Sequence, residues 1–169
     1  MPREFSAGVV IYRVENGNPQ YLILQHEGGH WDFVKGNLEK NEKLRDTMIR
    51  ETMEETGIRD LVFDEGFEQK ISYFYRRRGR TVYKQVVFHL AETKTSRVKI
   101  SHEHVDYDWV TYDEAMKKLT YENSRKTLKR AHKIVMNERY IQNGSRPKAK
   151  RRKAAQQAKD CSYTSQTRN

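Results

Sequence analysis

The sequence predicts an α+β fold, a layered domain of mixed strands with one central and one C-terminal helix. Three observations predict it. Short apolar runs of strand character, FSAGVVIY and YLILQ, open the chain. A glutamate-rich stretch from Glu42 to Thr56 has helical spacing, as does a second from Glu122 to Gln142. Between them, two long alternating runs flank the basic turn RRRGR.

Phe5 to Tyr12 reads as the first strand, ended by the turn-forming VENGNP. Tyr21 to Gln25 reads as a buried strand, and Gly28-Gly29 marks a loop. His30 to Phe33 forms a short strand leading into Lys35-Gly36. The helix that follows, Glu42 to Thr56, starts on a carboxylate that its macrodipole favours. It ends at Gly57, where a left-handed residue is needed. Ile49, Thr52, Met53 and Thr56 form one stripe, and Leu44 and Met48 a second, in line with Glu51 and Glu55. A helix apolar on two sides is expected to pack between two layers. Strands near Phe67–Arg76 and Thr81–Ala91 pair through RRRGR, and Val105–Val110 forms another. Thr111 with Glu114 makes a capping box for a short helix to Leu119. The last helix stops at Asn143-Gly144, and the chain has no internal repeat.

Composition narrows the function classes. A chain of 169 residues is expected to form one domain, here 1–143. No run of 18 apolar residues exists, so no membrane partner is expected. The first residues lack a signal-peptide core. Cys161 stands alone, which excludes an intramolecular disulfide and fits a reducing, cytoplasmic setting. The net charge of +10 is uneven: residues 145–169 carry eight Lys and Arg against Asp160 alone. Segment 144–169 is expected to be disordered and drawn to RNA or another polyanion, or merely to keep the chain soluble. KAKRRK within it also fits a nuclear localisation signal in a eukaryotic source. Oligomeric state is left open.

The chemistry concentrates in Gly36–Ile58. On a helix Glu51, Glu54 and Glu55 fall at i, i+3 and i+4, within an arc of about 100°. Like charges so spaced repel by a few tenths of a kcal/mol per pair. A hard divalent cation with oxygen ligands relieves that repulsion; taken alone, such a run is a solvated helix face. The longer pattern is more specific. Gly36, five residues, Glu42, seven residues, Arg50-Glu51, two residues, Glu54-Glu55, one residue, Gly57 and Ile58 match the Nudix box. Seven fixed types at these spacings arise by chance about once in 10⁸–10⁹ start points. The chain therefore resembles the Nudix hydrolases; Thr52 is the one loose position, where an aliphatic residue is preferred.

The resemblance implies an α/β/α sandwich with a mixed sheet, and hydrolysis of a nucleoside diphosphate linked to another group. It implies Mg²⁺, or Mn²⁺, held by Glu51, Glu54, Glu55 and the Gly36 carbonyl. One carboxylate takes the proton of the attacking water, with Glu54 the first choice and Glu103 the second. Arg50 is expected to orient a neighbouring glutamate. Four further segments, AGVVIYR, HWDFVKGNLE, EGFEQKISYFYRR and ISHEHVDYDWVTYDEA, resemble the asymmetrical diadenosine tetraphosphate hydrolases. These relatives often carry prolines where this chain has Phe33-Val34. The likeness spans roughly 4–140 and implies cleavage of that dinucleotide to ATP and AMP.

The resemblance then implies a phosphate partner in Lys35, otherwise a surface lysine, and in Glu103 a carboxylate that meets the metals or assists the attacking water. Alternation in His102-Glu103-His104 sets both imidazoles opposite Glu103, as loop hydrogen-bonders. Tyr73 and Tyr75 share a strand face and suit stacking on adenine, worth about 1–3 kcal/mol, or ordinary sheet packing. Arg76, Arg77, Arg78 and Arg80 suit a long polyphosphate or RNA, or only a solvated turn. Two rivals stand beside this reading. The basic segments motivate an RNA 5′-end pyrophosphohydrolase of the same fold. A non-catalytic nucleotide- or RNA-binding module is the other, and the intact set of repelling glutamates argues against it.

Overall fold

A computed structural model describes residues 1–142. The basic segment 144–169, its expected disorder and Cys161 lie outside the described residues. The elements are β1 (Arg3–Glu15), β2 (Asn18–His26), β3 (Trp31–Asp32), β4 (Val34–Asn37), α1 (Leu44–Thr56), β5 (Val62–Arg77), β6 (Arg80–Glu92), β7 (His104–Val110), α2 (Tyr112–Lys118) and α3 (Glu122–Gln142). Two compact units divide the chain, Met1–His132 and a second beginning at Lys133 within α3. All that follows concerns the first.

Seven strands form one mixed sheet in the order β3-β2-β1-β6-β5, with β4 paired to β1 and β7 to β2. The β1–β6 pair is parallel and the other pairs are antiparallel. β1 is central because its run Ser6–Tyr12 is buried on both faces. Alternation divides the layers. Ala7, Val9, Ile11, Leu22 and Leu24 pack with Met48 of α1 in one core cluster. Tyr21, of opposite parity on β2, meets His132 of α3, its hydroxyl 2.7 Å from Nδ1. Helices thus cover both sheet faces, the α/β/α sandwich expected.

α1 departs from expectation in two ways. It begins after an N-cap at Lys43, so Glu42 precedes it. The Asp46 carboxylate accepts from the Lys43 N–H at 3.1 Å, which closes the first turn without Glu42. Glu42 instead accepts from Thr47 Oγ1, the Glu39 N–H and Arg50. The stripe of Ile49, Thr52, Met53 and Thr56 splits, its threonines facing the sheet and its larger members facing out. Ile49 and Met53 are 47% and 41% exposed, while Thr47, Met48, Thr52, Glu55 and Thr56 are buried. α1 buries one face, and small threonines rather than the larger apolar residues allow its close approach to β1 and β4. The C-terminal end is as expected: Gly57 has φ 74° and its N–H reaches Met53 O at 2.9 Å. The Thr111–Glu114 capping box of α2 is present, and no described helix is long and apolar enough to cross a membrane.

Candidate active site

α1 delivers Glu51, Glu54 and Glu55 into a hollow of about 620 Å³. Lys35, Gly36 and Asn37 of β4 form one wall, and Ser101–Glu103 form the opposite one. Gly36 is needed by close approach. A Cβ there would lie 1.8 Å from the Glu51 carboxylate, so any side chain would evict it. Ser101 is carried to the site by its N–H bond to Glu55 O, at 3.2 Å, on the last turn of α1.

Arg50 organises the carboxylates. Its guanidinium donates to Glu42 at 2.7 and 3.0 Å, to Glu51 at 2.8 Å, to Glu54 at 3.2 Å and to Asn37 O at 3.1 Å. The Glu42 hydrogen bonds are the main reason that its pKa is raised. Glu42 is pushed down to about 2 by the same bonds and by Thr47. With its oxygens so engaged, Glu42 is a structural anchor for Arg50.

The inner carboxylates behave oppositely. Burial raises the Glu51 pKa, against the pull of Arg50, with Glu54 and Glu103 adding to the rise. Glu55 is 5% exposed and pushed up to about 8, by burial first and then by Glu51, while Lys35 pulls the other way. Its Oε2 is buried with no hydrogen-bond partner. A buried carboxylate oxygen without a donor is costly, and the charges of Glu51 and Glu103 add to that cost. These oxygen donors fit a hard divalent cation. Among the described residues no three acidic or imidazole groups are already gathered at coordination spacing, since Arg50 holds Glu51 and Glu54.

Seven expected site residues, Lys35, Gly36, Arg50, Glu51, Glu54, Glu55 and Glu103, thus meet around one hollow. The histidine expectation fails in part. Residues 102 and 103 lie in a turn before β7, where alternation does not apply, so His102 and Glu103 line the hollow together. His104 is buried, its ring 4.4 Å from that of His26 and tilted by 54°, and it pairs with Ser101 Oγ at 3.2 Å. His26 stacks on His30 at 4.3 Å, and burial pushes it down to about 3. Burial lowers the pKa of His30 and His104 as well.

Tyr73 and Tyr75 do share a face, their rings 6.4 Å apart. They line a second hollow of about 670 Å³ with His30, Tyr121 and Phe88. Burial pushes Tyr73 up to about 12, while Tyr75 donates to Glu4 at 2.7 Å. Lys35 and Lys84 line both hollows. Lys35 is held at 2.7 Å by Asp32, which is 4% exposed. Burial raises the Asp32 pKa, but Lys35, the Ser124 hydroxyl at 2.7 Å and the Phe33 N–H outweigh it and hold the group below its ordinary value. Lys84, Asp32 and Ser124 escaped the sequence reading. A lysine between Val82 and Val86 on an alternating strand was a usable signal for Lys84. Nothing in sequence links Ser124 to Asp32, 92 residues away.

Known proteins bear on this arrangement. A family model for the NUDIX domain matches residues 2–131. The chain belongs to the Nudix family. Nudix hydrolases generally use divalent metals and act on pyrophosphate bonds. This Nudix chain is 34% identical over 142 residues to the asymmetrical bis(5′-nucleosyl)-tetraphosphatase of Rattus norvegicus, covering 77% of this chain and 94% of that one. It is 33% identical to the Caenorhabditis elegans protein of that name, covering 69% and 85%. A crystal structure of a C. elegans Ap4A hydrolase binary complex superposes with TM-score 0.67 at 27% identity, over 79% of this chain and 98% of that one.

Proposed function

We propose that this protein is a divalent-metal-dependent hydrolase of dinucleoside polyphosphates, cleaving diadenosine tetraphosphate with water to ATP and AMP. The observation that carries the reading is the pair of hollows, one acidic and one aromatic, joined by Lys35 and Lys84. An aromatic hollow of this size suits a nucleobase, two lysines suit the phosphates that follow it, and the carboxylates mark the reacting end. The relatives support the same substrate class.

In this reading Glu51, Glu54, Glu55 and the Gly36 carbonyl hold Mg²⁺, or Mn²⁺ in its place, and Glu103 completes the set. The metal supplies charge neutralisation of the polyphosphate and Lewis acidity. Arg50 aims Glu51 and Glu54. Glu54, 53% exposed on its side chain, has room to accept the water proton, with Glu103 the second choice. Tyr73 and Tyr75 stack on one adenine, and Lys35 orients the chain of phosphates from its fixed place on Asp32. We assign a reducing, cytoplasmic setting from the lone Cys161, and RNA or another polyanion as partner of the basic segment 145–169.

Ion-exchange analysis of products tests the assignment. Incubation with Mg²⁺ and diadenosine tetraphosphate is expected to yield ATP plus AMP at about 1–10³ s⁻¹. ADP as the sole product, or no turnover, rejects it.

A further inference from the structure

One buried carboxylate joins the wall of the aromatic hollow to the lysine at the edge of the acidic one. Asp32 closes β3. Its Oδ1 accepts from the Ser124 hydroxyl at 2.7 Å and from the Phe33 N–H at 2.9 Å, and its Oδ2 from Lys35 Nζ at 2.7 Å. Ser124 is buried as well. It lies in the first turn of α3, directly after Tyr121, Glu122 and Asn123, which line the aromatic hollow. Two further bonds fasten the same segment to β3. The Trp31 N–H donates to Thr120 Oγ1 at 2.9 Å, and the Thr120 N–H donates to Trp31 O at 3.2 Å. On the other side Lys35 precedes Gly36, where a Cβ would strike the Glu51 carboxylate. A continuous path thus runs from the aromatic wall through Ser124, Asp32 and Lys35 to the glutamates of α1.

A buried ion pair is often no more stabilising than an apolar pair of the same volume. What this one supplies is a fixed place for a charge. An unanchored lysine has a flexible four-carbon stem and follows its partner. Lys35 is instead held at one point by Asp32, with N–H donors left over for a phosphate. A substrate with its base in one hollow and its reacting phosphorus in the other is then aligned, phosphate by phosphate, against a fixed cation. We propose that Asp32 and Ser124 are positioning residues that set which anhydride bond of a dinucleoside tetraphosphate reaches the carboxylates. The substrate and the reacting end are those of the proposed function, on which this rests. With Lys35 anchored, the anhydride next to one adenosine is cut, giving AMP and ATP. With Lys35 released, the chain can shift by one phosphate and present its central anhydride. The water oxygen then bonds to a phosphorus of that anhydride and the P–O bond breaks. One ADP leaves with the electron pair, the water proton passes to a site carboxylate, and the second ADP is the other product.

The test uses the full chain with Mg²⁺ and diadenosine tetraphosphate, and reads ADP against ATP plus AMP among the initial products. Wild type is compared with Ser124→Ala, Asp32→Asn, Lys35→Met and the double variant Ser124→Ala/Lys35→Met. Ser124→Ala removes one hydroxyl and is the mildest of these changes; circular dichroism checks that each variant is folded. The ADP share is expected to rise about 10-fold in each single variant, within what a misplacement of about 1 Å costs. The double variant is expected to match Lys35→Met, because Ser124 acts through Lys35. A loss of structure alone would slow turnover and leave the product ratio where it was. An ADP share unchanged in Ser124→Ala or in Asp32→Asn, or an additive rise in the double variant, overturns this inference while the dinucleotide reading stands. Failure of the wild type to yield ATP and AMP overturns the proposed function, and this inference with it.

Discussion

Glu54 and Glu55 are neighbours in sequence with opposite surroundings, and the difference sets what each can do. Glu54 is half-exposed and tied to Arg50, whereas Glu55 is buried with one oxygen unpartnered. Glu54→Gln is expected to lower kcat by about 10²–10⁴-fold, the usual worth of a general base, with thermal unfolding unchanged. Near wild-type turnover would remove Glu54 from the proposed mechanism. Glu55 makes a pH prediction for the metal-free protein. Its folded pKa of about 8 exceeds its ordinary 4.5. The folded chain therefore keeps a proton that the unfolded chain releases, and stability falls as pH rises from about 5 to about 8. Melting in EDTA at pH 5 and pH 8 checks this, and Mg²⁺ is expected to restore the loss at pH 8. Gly36→Ala tests the cradle: eviction of Glu51 is expected to weaken Mg²⁺ affinity at least 10-fold by calorimetric titration.

At the scale of the element, α1 is built to present carboxylates, and its fastening lies outside the helix. Arg50 reaches back to Glu42 and Asn37 before the N-terminus and forward to Glu51 and Glu54. A lysine keeps the charge but not the fork. Arg50→Lys is therefore expected to lower kcat/KM at least 10-fold while leaving the fold intact by circular dichroism; full activity would reduce Arg50 to a surface charge. Gly57→Ala separates helix stability from chemistry. A side chain at φ 74° costs about 1–2 kcal/mol, read as an earlier denaturant midpoint with kcat unchanged.

At the scale of the whole molecule, the sheet places two chemistries side by side. β6 runs parallel to β1, and so sets Lys84 beside Glu4 and within reach of both hollows. Burial lowers the Lys84 pKa while Glu4, 3.8 Å away, supports its charge, and under the proposed function Lys84 would exchange Glu4 for a phosphate. Lys84→Met is expected to raise KM for the dinucleotide about 10-fold with little change in kcat, and a change confined to kcat would place Lys84 at the reacting bond instead.

The sequence by itself determined the family, the glutamate set with Gly36, Gly57 and Arg50, and most element positions. Those are local: fixed spacings along one helix and its two flanking turns carry them. Only the tertiary structure decided that α1 buries a single face, taking Thr52 and Thr56 from one expected stripe and Met48 from the other while leaving Ile49 and Met53 outside. It also decided that His102 joins Glu103 while His104 turns inward, because a turn there breaks the alternation that a strand would impose. Asp32 with Ser124, and Lys84 between two hollows, depend on strand register and on chain segments far apart in sequence. Such contacts leave no local periodicity to read, because the energy that brings them together is the burial of the sheet as a whole.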